Sequence, residues 1–151
     1  MSREAPLLET DMAAPVISLF SKPRCTHFEQ VPLGRKKIDL VFIDRSDDSA
    51  ITVELKISNW KRALWQANVN FQISAESYIA IWHEYIQRPQ NNLSLLHEYG
   101  VGLIVVNATS AQVVLSSKRR PQRIPMGDKP AWYLRLLDQS ARAENSLCDT
   151  T

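Results

Sequence analysis

From Ile51 to Ile57 apolar and polar residues alternate without exception. Ile51, Val53, Leu55 and Ile57 fall on one side, Thr52, Glu54 and Lys56 on the other. A period of two predicts a strand with one buried face. Two further runs precede it, THFEQVPL and KIDLVFID, with turn residues at Gly34-Arg35-Lys36 and in DRSDDS between them. All three are rich in β-branched or aromatic residues, so three strands with short connections are expected. Asn59 is placed to cap a helix, and Trp60, Ala63, Leu64, Ala67 and Phe71 then recur at helical spacing. Gln66 falls at the edge of that face, whereas Trp65 and Val69 lie opposite and need another partner. Beyond it SYIAIW reads as a strand, NNLSLLHEY as a helix ended by Gly100, VGLIVVN as a strand and AQVVLSS as an edge strand. Strand, helix, strand with short links predicts a parallel pair with a right-handed crossover. Near the N-terminus, residues from Pro15 to Phe20 predict a short helix that Lys22-Pro23 ends. The expected architecture is α/β: a mixed β-sheet, antiparallel first and parallel later, flanked by helices.

The chain of 151 residues is long enough for one domain with its own core. We expect that domain over residues 1–140 and a flexible tail over 141–151, because apolar periodicity is lost after Leu137. Before it, Lys118 to Arg123 form a short basic loop and PAWYLRLL a helix-like run. With 44% hydrophobic and 23% charged residues the composition is that of an ordinary globular protein. A net charge of +2 announces no nucleic-acid binding, which would need a local basic surface instead. Cys25 and Cys148 have no metal-ligand spacing and read as free thiols of a reducing compartment. MSREAPLLETD carries acids and no apolar run, and no segment approaches the roughly 20 apolar residues that span a bilayer. A cytoplasmic location without a membrane partner is the expectation.

The polar face of the Ile51–Ile57 strand carries the candidate chemistry. Same-face neighbours on a strand stand about 7 Å apart, so Glu54 and Lys56 project together. Fourteen residues, 40 to 53, separate Asp39 from Glu54, and a hairpin around DRSDDS would set them side by side. Asp39 interrupts an apolar run between Ile38 and Leu40, and a buried carboxylate needs a cation or hydrogen bonds to stay ionised. Two convergent carboxylates suit Mg²⁺, which takes one or two of them with waters and a substrate phosphate. The Leu55 carbonyl is a further oxygen at hand. A bound metal activates water and offsets phosphate charge, and Lys56 would hold that water or neutralise the phosphate. Each residue taken singly has a blander reading. An exposed Glu–Lys pair contributes roughly 0–1 kcal/mol. Asp39 alone would pair with Arg35 or Lys36, and Gln66 alone would be a half-exposed helix residue. Order and spacing together make the case.

Ile38-Asp39, then Glu54-Leu55-Lys56, then a helix with Trp60, Ala63-Leu64 and Gln66-Ala67 resembles the PD-(D/E)XK nuclease superfamily over roughly residues 29–82. Ile38 stands where the motif often has proline. The resemblance implies a restriction-endonuclease-like core and hydrolysis of phosphodiester bonds with Mg²⁺ or Mn²⁺. It implies Asp39 and Glu54 as metal ligands, Lys56 as the catalytic lysine and Gln66 as a supporting group. Members often add an upstream acid, for which Glu29 is the first choice and Glu9 the rival. Arg35, Lys36 and Lys37 before the Asp39 strand, and Lys61 and Arg62 at the helix start, are expected to contact phosphates, most simply of DNA. The alternative is a catalytically inactive module of the same fold that binds nucleic acid or a protein. Trp65 and Val69 would serve a homodimer or a partner chain. Asp44, Asp47 and Asp48 lack the glycine and glutamate of a calcium loop and read as a solvated turn.

Overall fold

In the computed structural model, residues 8–121, 133–136 and 138 are described. A 3₁₀ turn at Glu9–Met12 runs into helix α1, Ala13–Leu19. Strands β1 (Cys25–Leu33), β2 (Lys36–Asp44) and β3 (Ser49–Lys56) follow, then helix α2 (Trp60–Asn70) and strand β4 (Glu76–Trp82). A second 3₁₀ turn, His83–Tyr85, leads to short helices α3 (Gln87–Gln90) and α4 (Leu93–Tyr99), then strands β5 (Gly102–Val106) and β6 (Ala111–Leu115). All six strands form one sheet in chain order. β1–β2, β2–β3 and β5–β6 are antiparallel, whereas β3–β4 and β4–β5 are parallel. The fold is thus α/β with a mixed sheet flanked by helices, and β6 is an edge strand as expected. Its antiparallel return adds a turn of direction beyond the simple antiparallel-then-parallel order.

The two faces of the sheet bury different helices. Met12, Val16 and Phe20 pack on Leu40, Phe42, Val53, Leu55, Tyr78 and Ala80. On the other face Trp60, Ala63, Leu64 and Ala67 of α2 and Leu96 of α4 cover Ile79, Ile81 and Leu103. The apolar stripe of α2 therefore meets the sheet, and Trp65 on its far side is 66% exposed. The Asn59 side chain accepts from the Arg62 amide at 3.3 Å, capping α2. Gly100, with φ of 76°, closes α4 in the left-handed conformation that glycine adopts without a Cβ clash. No described helix is long and apolar enough to cross a membrane. The aspartates at the end of β2 and in the turn after it dress that turn: Asp44 accepts from Ser46 N at 2.9 Å and Asp47 from Ser49 N at 3.0 Å. Tyr133–Leu136 is helical. The rest of the final helix-like run and the boundary expected at residue 140 lie outside the described residues.

Candidate functional site

The hairpin of β1 and β2 turns at Gly34 and Arg35, pairing Leu33 with Lys36. Pairing then runs to Val31–Ile38, omits Gln30 and Asp39, and resumes at Glu29–Leu40 in the same register. One residue on each strand has left the ladder. Gln30 takes φ of 53°, an uncommon and strained value for a side chain with a Cβ. The alternation of faces breaks there too. Val31 and Ile38 join Val41 and Ile43 in one apolar cluster, while Leu40 and Phe42 belong to the opposite face. Strict alternation would have placed Ile38 with Leu40.

The break frees polar groups, and they meet β3. Ladder pairing between β2 and β3 stops at Leu40–Val53, one step short of Asp39 and Glu54. Beyond it the side chains bridge the gap. Asp39 Oδ2 accepts from the Leu55 amide at 2.8 Å, and the Asp39 amide donates to Glu54 Oε2 at 3.4 Å. Gln30 Nε2 donates to Asp39 Oδ1 at 3.3 Å. The two acids thus stand together, as the hairpin argument expected.

Glu54 is 1% exposed and faces α2. Lys36 Nζ donates to Glu54 Oε1 at 3.1 Å, to the Gln66 carbonyl at 3.2 Å and to Asn70 Oδ1 at 2.7 Å. All three ammonium hydrogens have acceptors. Burial, and then the neighbouring Asp39 charge, raise the Glu54 pKa above the ordinary carboxylate value, with Lys36 pulling the other way. Beneath α2 a buried hydroxyl chain continues from this point. Thr52 Oγ1 lies 3.0 Å from Ser74 Oγ and donates to Ser77 Oγ at 3.1 Å, and Ser77 donates to the Ala67 carbonyl at 2.6 Å. These bonds tie both ends of the β3–α2–β4 unit and hold α2 over Glu54.

Several expected partners are elsewhere. The cation on Glu54 is Lys36. Lys56 ends β3, and its Nζ lies 3.5 Å from Glu9 Oε2 in a partly exposed ion pair. Lys36, expected as a phosphate contact, lies inward on the same face as Ile38, its Nζ on Glu54 and α2. Glu29 is exposed and pairs with Leu40, placing it on the face away from Glu54, whereas Glu9 reaches the end of β3 through Lys56. Gln66 touches the site through its main-chain carbonyl, and Leu55 touches Asp39 through its amide. Arg35, Lys37, Lys61 and Arg62 are exposed. Among the described residues no group of three His, Cys, Asp or Glu side chains converges on one point.

Gln30 and Asn70 were missed by the sequence reading. Gln30 had a signal: counting back from a two-residue Gly34-Arg35 turn sets it opposite Asp39. Asn70 had none, since its role depends on where Lys36 points. Beyond the carboxyl ends of β3 and β4 lies a cleft of about 550 Å³ lined by Ser58, Asn59, Trp60, Lys61, Arg88, Asn91 and Asn92. Among the described residues its lining carries two cations and no acid.

No family model and no curated protein matches the chain. Among solved structures it is similar to the SPO1766 protein of unknown function from Silicibacter pomeroyi, with a TM-score of 0.56 and 18% identity over 99% of this chain and 94% of that one. The likeness is one of fold.

Proposed function

We propose that this chain is a divalent-metal-dependent nuclease of restriction-endonuclease-like fold that hydrolyses phosphodiester bonds in DNA. The observation that carries the reading is the register of the β2–β3 hairpin, which sets Asp39 opposite Glu54 on adjacent strands, with the Asp39 amide donating to Glu54 Oε2 at 3.4 Å. The donor set suits Mg²⁺ or Mn²⁺ of the kind completed by waters and a substrate phosphate, because it offers two carboxylates rather than a full protein cage. Each carboxylate oxygen in a hydrogen bond keeps a second lone pair for a ligand. Asp39 and Glu54 would hold the ion, with the Leu55 carbonyl as a further donor. The ion supplies an acidified water and offsets charge on the phosphate.

The chain's own groups do the rest. The Leu55 amide and Gln30 orient the Asp39 carboxylate. Lys56 is free to leave Glu9, since a partly exposed ion pair is worth little, and to place its ammonium on a water or phosphate oxygen. Arg35, Lys37, Lys61 and Arg62, with Arg88 in the basic cleft, would carry backbone phosphates. Incubation of single-stranded, duplex and branched DNA with Mg²⁺ tests this reading. Cleavage is expected to vanish in Asp39→Ala, Glu54→Ala and Lys56→Ala while the circular dichroism stays native. Full activity in all three variants would sink it.

A second reading has its own support. Lys36 already neutralises Glu54 and Lys56 is engaged by Glu9, an arrangement suited to a nuclease-fold module that binds nucleic acid or a protein without cleaving. Calorimetry that finds no Mg²⁺ or Mn²⁺ binding, with DNA present or absent, selects it.

A further inference from the structure

Lys36 is the one ammonium placed on the Asp39–Glu54 pair among the described residues, and its surroundings are unusual for a simple salt bridge. Only one of its three acceptors is charged. The Gln66 carbonyl and Asn70 Oδ1, at 3.2 and 2.7 Å, are neutral and both belong to α2. Asn70 is fully buried and presents its Oδ1 to Lys36, while its Nδ2 has no partner among the described residues. An ammonium that let go of Glu54 would still keep two hydrogen bonds. Glu54 would likewise keep its bond from the Asp39 amide.

We propose that Lys36 is the resident counter-ion of Glu54, and that a divalent cation binding at Asp39 and Glu54 exchanges with it. Lys36 shifts its hold to Gln66 and Asn70 when the metal arrives. The inference rests on the metal-binding reading above and adds an order of events to it. A metal on Glu54 sits at about 2.0–2.1 Å from a carboxylate oxygen. The Lys36 nitrogen is 3.1 Å from Glu54 Oε1, so the two cations cannot both approach that oxygen closely without strong repulsion. With Lys36 in place the three side chains carry a net charge of −1; without it they carry −2. Lys36 therefore keeps the apo site assembled and at the same time weakens metal affinity. It is a positioning residue, acting through Glu54.

The experiment is calorimetric titration of Mn²⁺ at pH 8 into the full chain, followed by Mn²⁺-dependent thermal unfolding. Lys36→Met is expected to bind Mn²⁺ about tenfold more tightly than the parent, because the competing charge is gone. Lys36→Arg, which keeps the charge, stays within about threefold of the parent. Asn70→Ala, which removes one fallback acceptor, binds Mn²⁺ more weakly. Glu54→Gln abolishes binding in every background. If Lys36→Met does not fold alone, Mn²⁺ is expected to restore its far-ultraviolet circular dichroism, and failure to do so overturns the exchange. So does unchanged or weaker Mn²⁺ affinity in a folded Lys36→Met, with the metal-binding reading left standing. Absence of Mn²⁺ binding in the parent overturns both.

Discussion

Removal of the Lys36 ammonium probes the energetics of the site without any metal. At 3.1 Å and an effective dielectric of about 20, the attraction to Glu54 is roughly 5 kcal/mol. That gross figure is offset by the cost of burying both groups, and breaking such a pair from one side typically costs about 3–5 kcal/mol. Lys36→Met leaves Glu54 buried beside Asp39 with no cation and leaves Asn70 Oδ1 without its donor. The expected loss is therefore about 3–5 kcal/mol, a lowering of Tm by roughly 10 °C for a domain of this size. Glu54→Gln removes the buried charge, retains an amide oxygen for Lys36, and is expected to cost no more than about 1 kcal/mol. The double variant should be more stable than Lys36→Met alone. Urea unfolding of the four proteins at pH 7.5 with chelator present gives the coupling energy, expected to be at least about 2 kcal/mol. A coupling below about 0.5 kcal/mol, or a Lys36→Met cost below about 1 kcal/mol, would refute the idea that Lys36 sustains the Glu54 charge.

The pH dependence follows from the raised Glu54 pKa, whose first cause is burial and second the Asp39 charge. Between the ordinary and the raised value the folded state holds more protons than the unfolded one, so this group's contribution to stability falls as pH rises through that window. The stability of Glu54→Gln relative to the parent should accordingly improve from pH 4 to pH 8; a constant difference in urea midpoints would contradict it. Gln30 holds a left-handed φ worth about 1 kcal/mol of strain, so Gln30→Gly should be more stable than Gln30→Ala by about that amount. Equal unfolding midpoints would mean that the backbone at Gln30 is not strained. If the basic cleft carries phosphates, Lys61→Ala with Arg88→Ala should reduce the salt dependence of DNA binding by about two phosphate contacts, seen as a shallower slope of log affinity against log salt. An unchanged slope removes the cleft from the interface.

The linear order of elements was legible because each depends on local pattern. The period-two run became β3, the β-branched and aromatic-rich runs on either side became β2 and β4, helical spacing after Asn59 became α2, and Gly100 closed α4. Asp39 next to Glu54 was legible as well, since a hairpin around DRSDDS brings the two together by chain geometry alone. The choice of cation was not. Glu54 and Lys56 project from one face of a strand, yet Lys56 ends that strand and its side chain meets Glu9. Lys36 reaches Glu54 because Gln30 and Asp39 both leave the ladder and the strands change face between Ile38 and Leu40. That break involves two strands at once, and α2 then supplies two acceptors from residues 66 and 70. The sequence by itself determined the six strands, helices α1, α2 and α4, and which acids lie side by side, but not α3. Only the tertiary structure decided which lysine serves them, because a buried carboxylate takes as counter-ion whichever ammonium the packed fold delivers to it with its remaining hydrogen bonds satisfied.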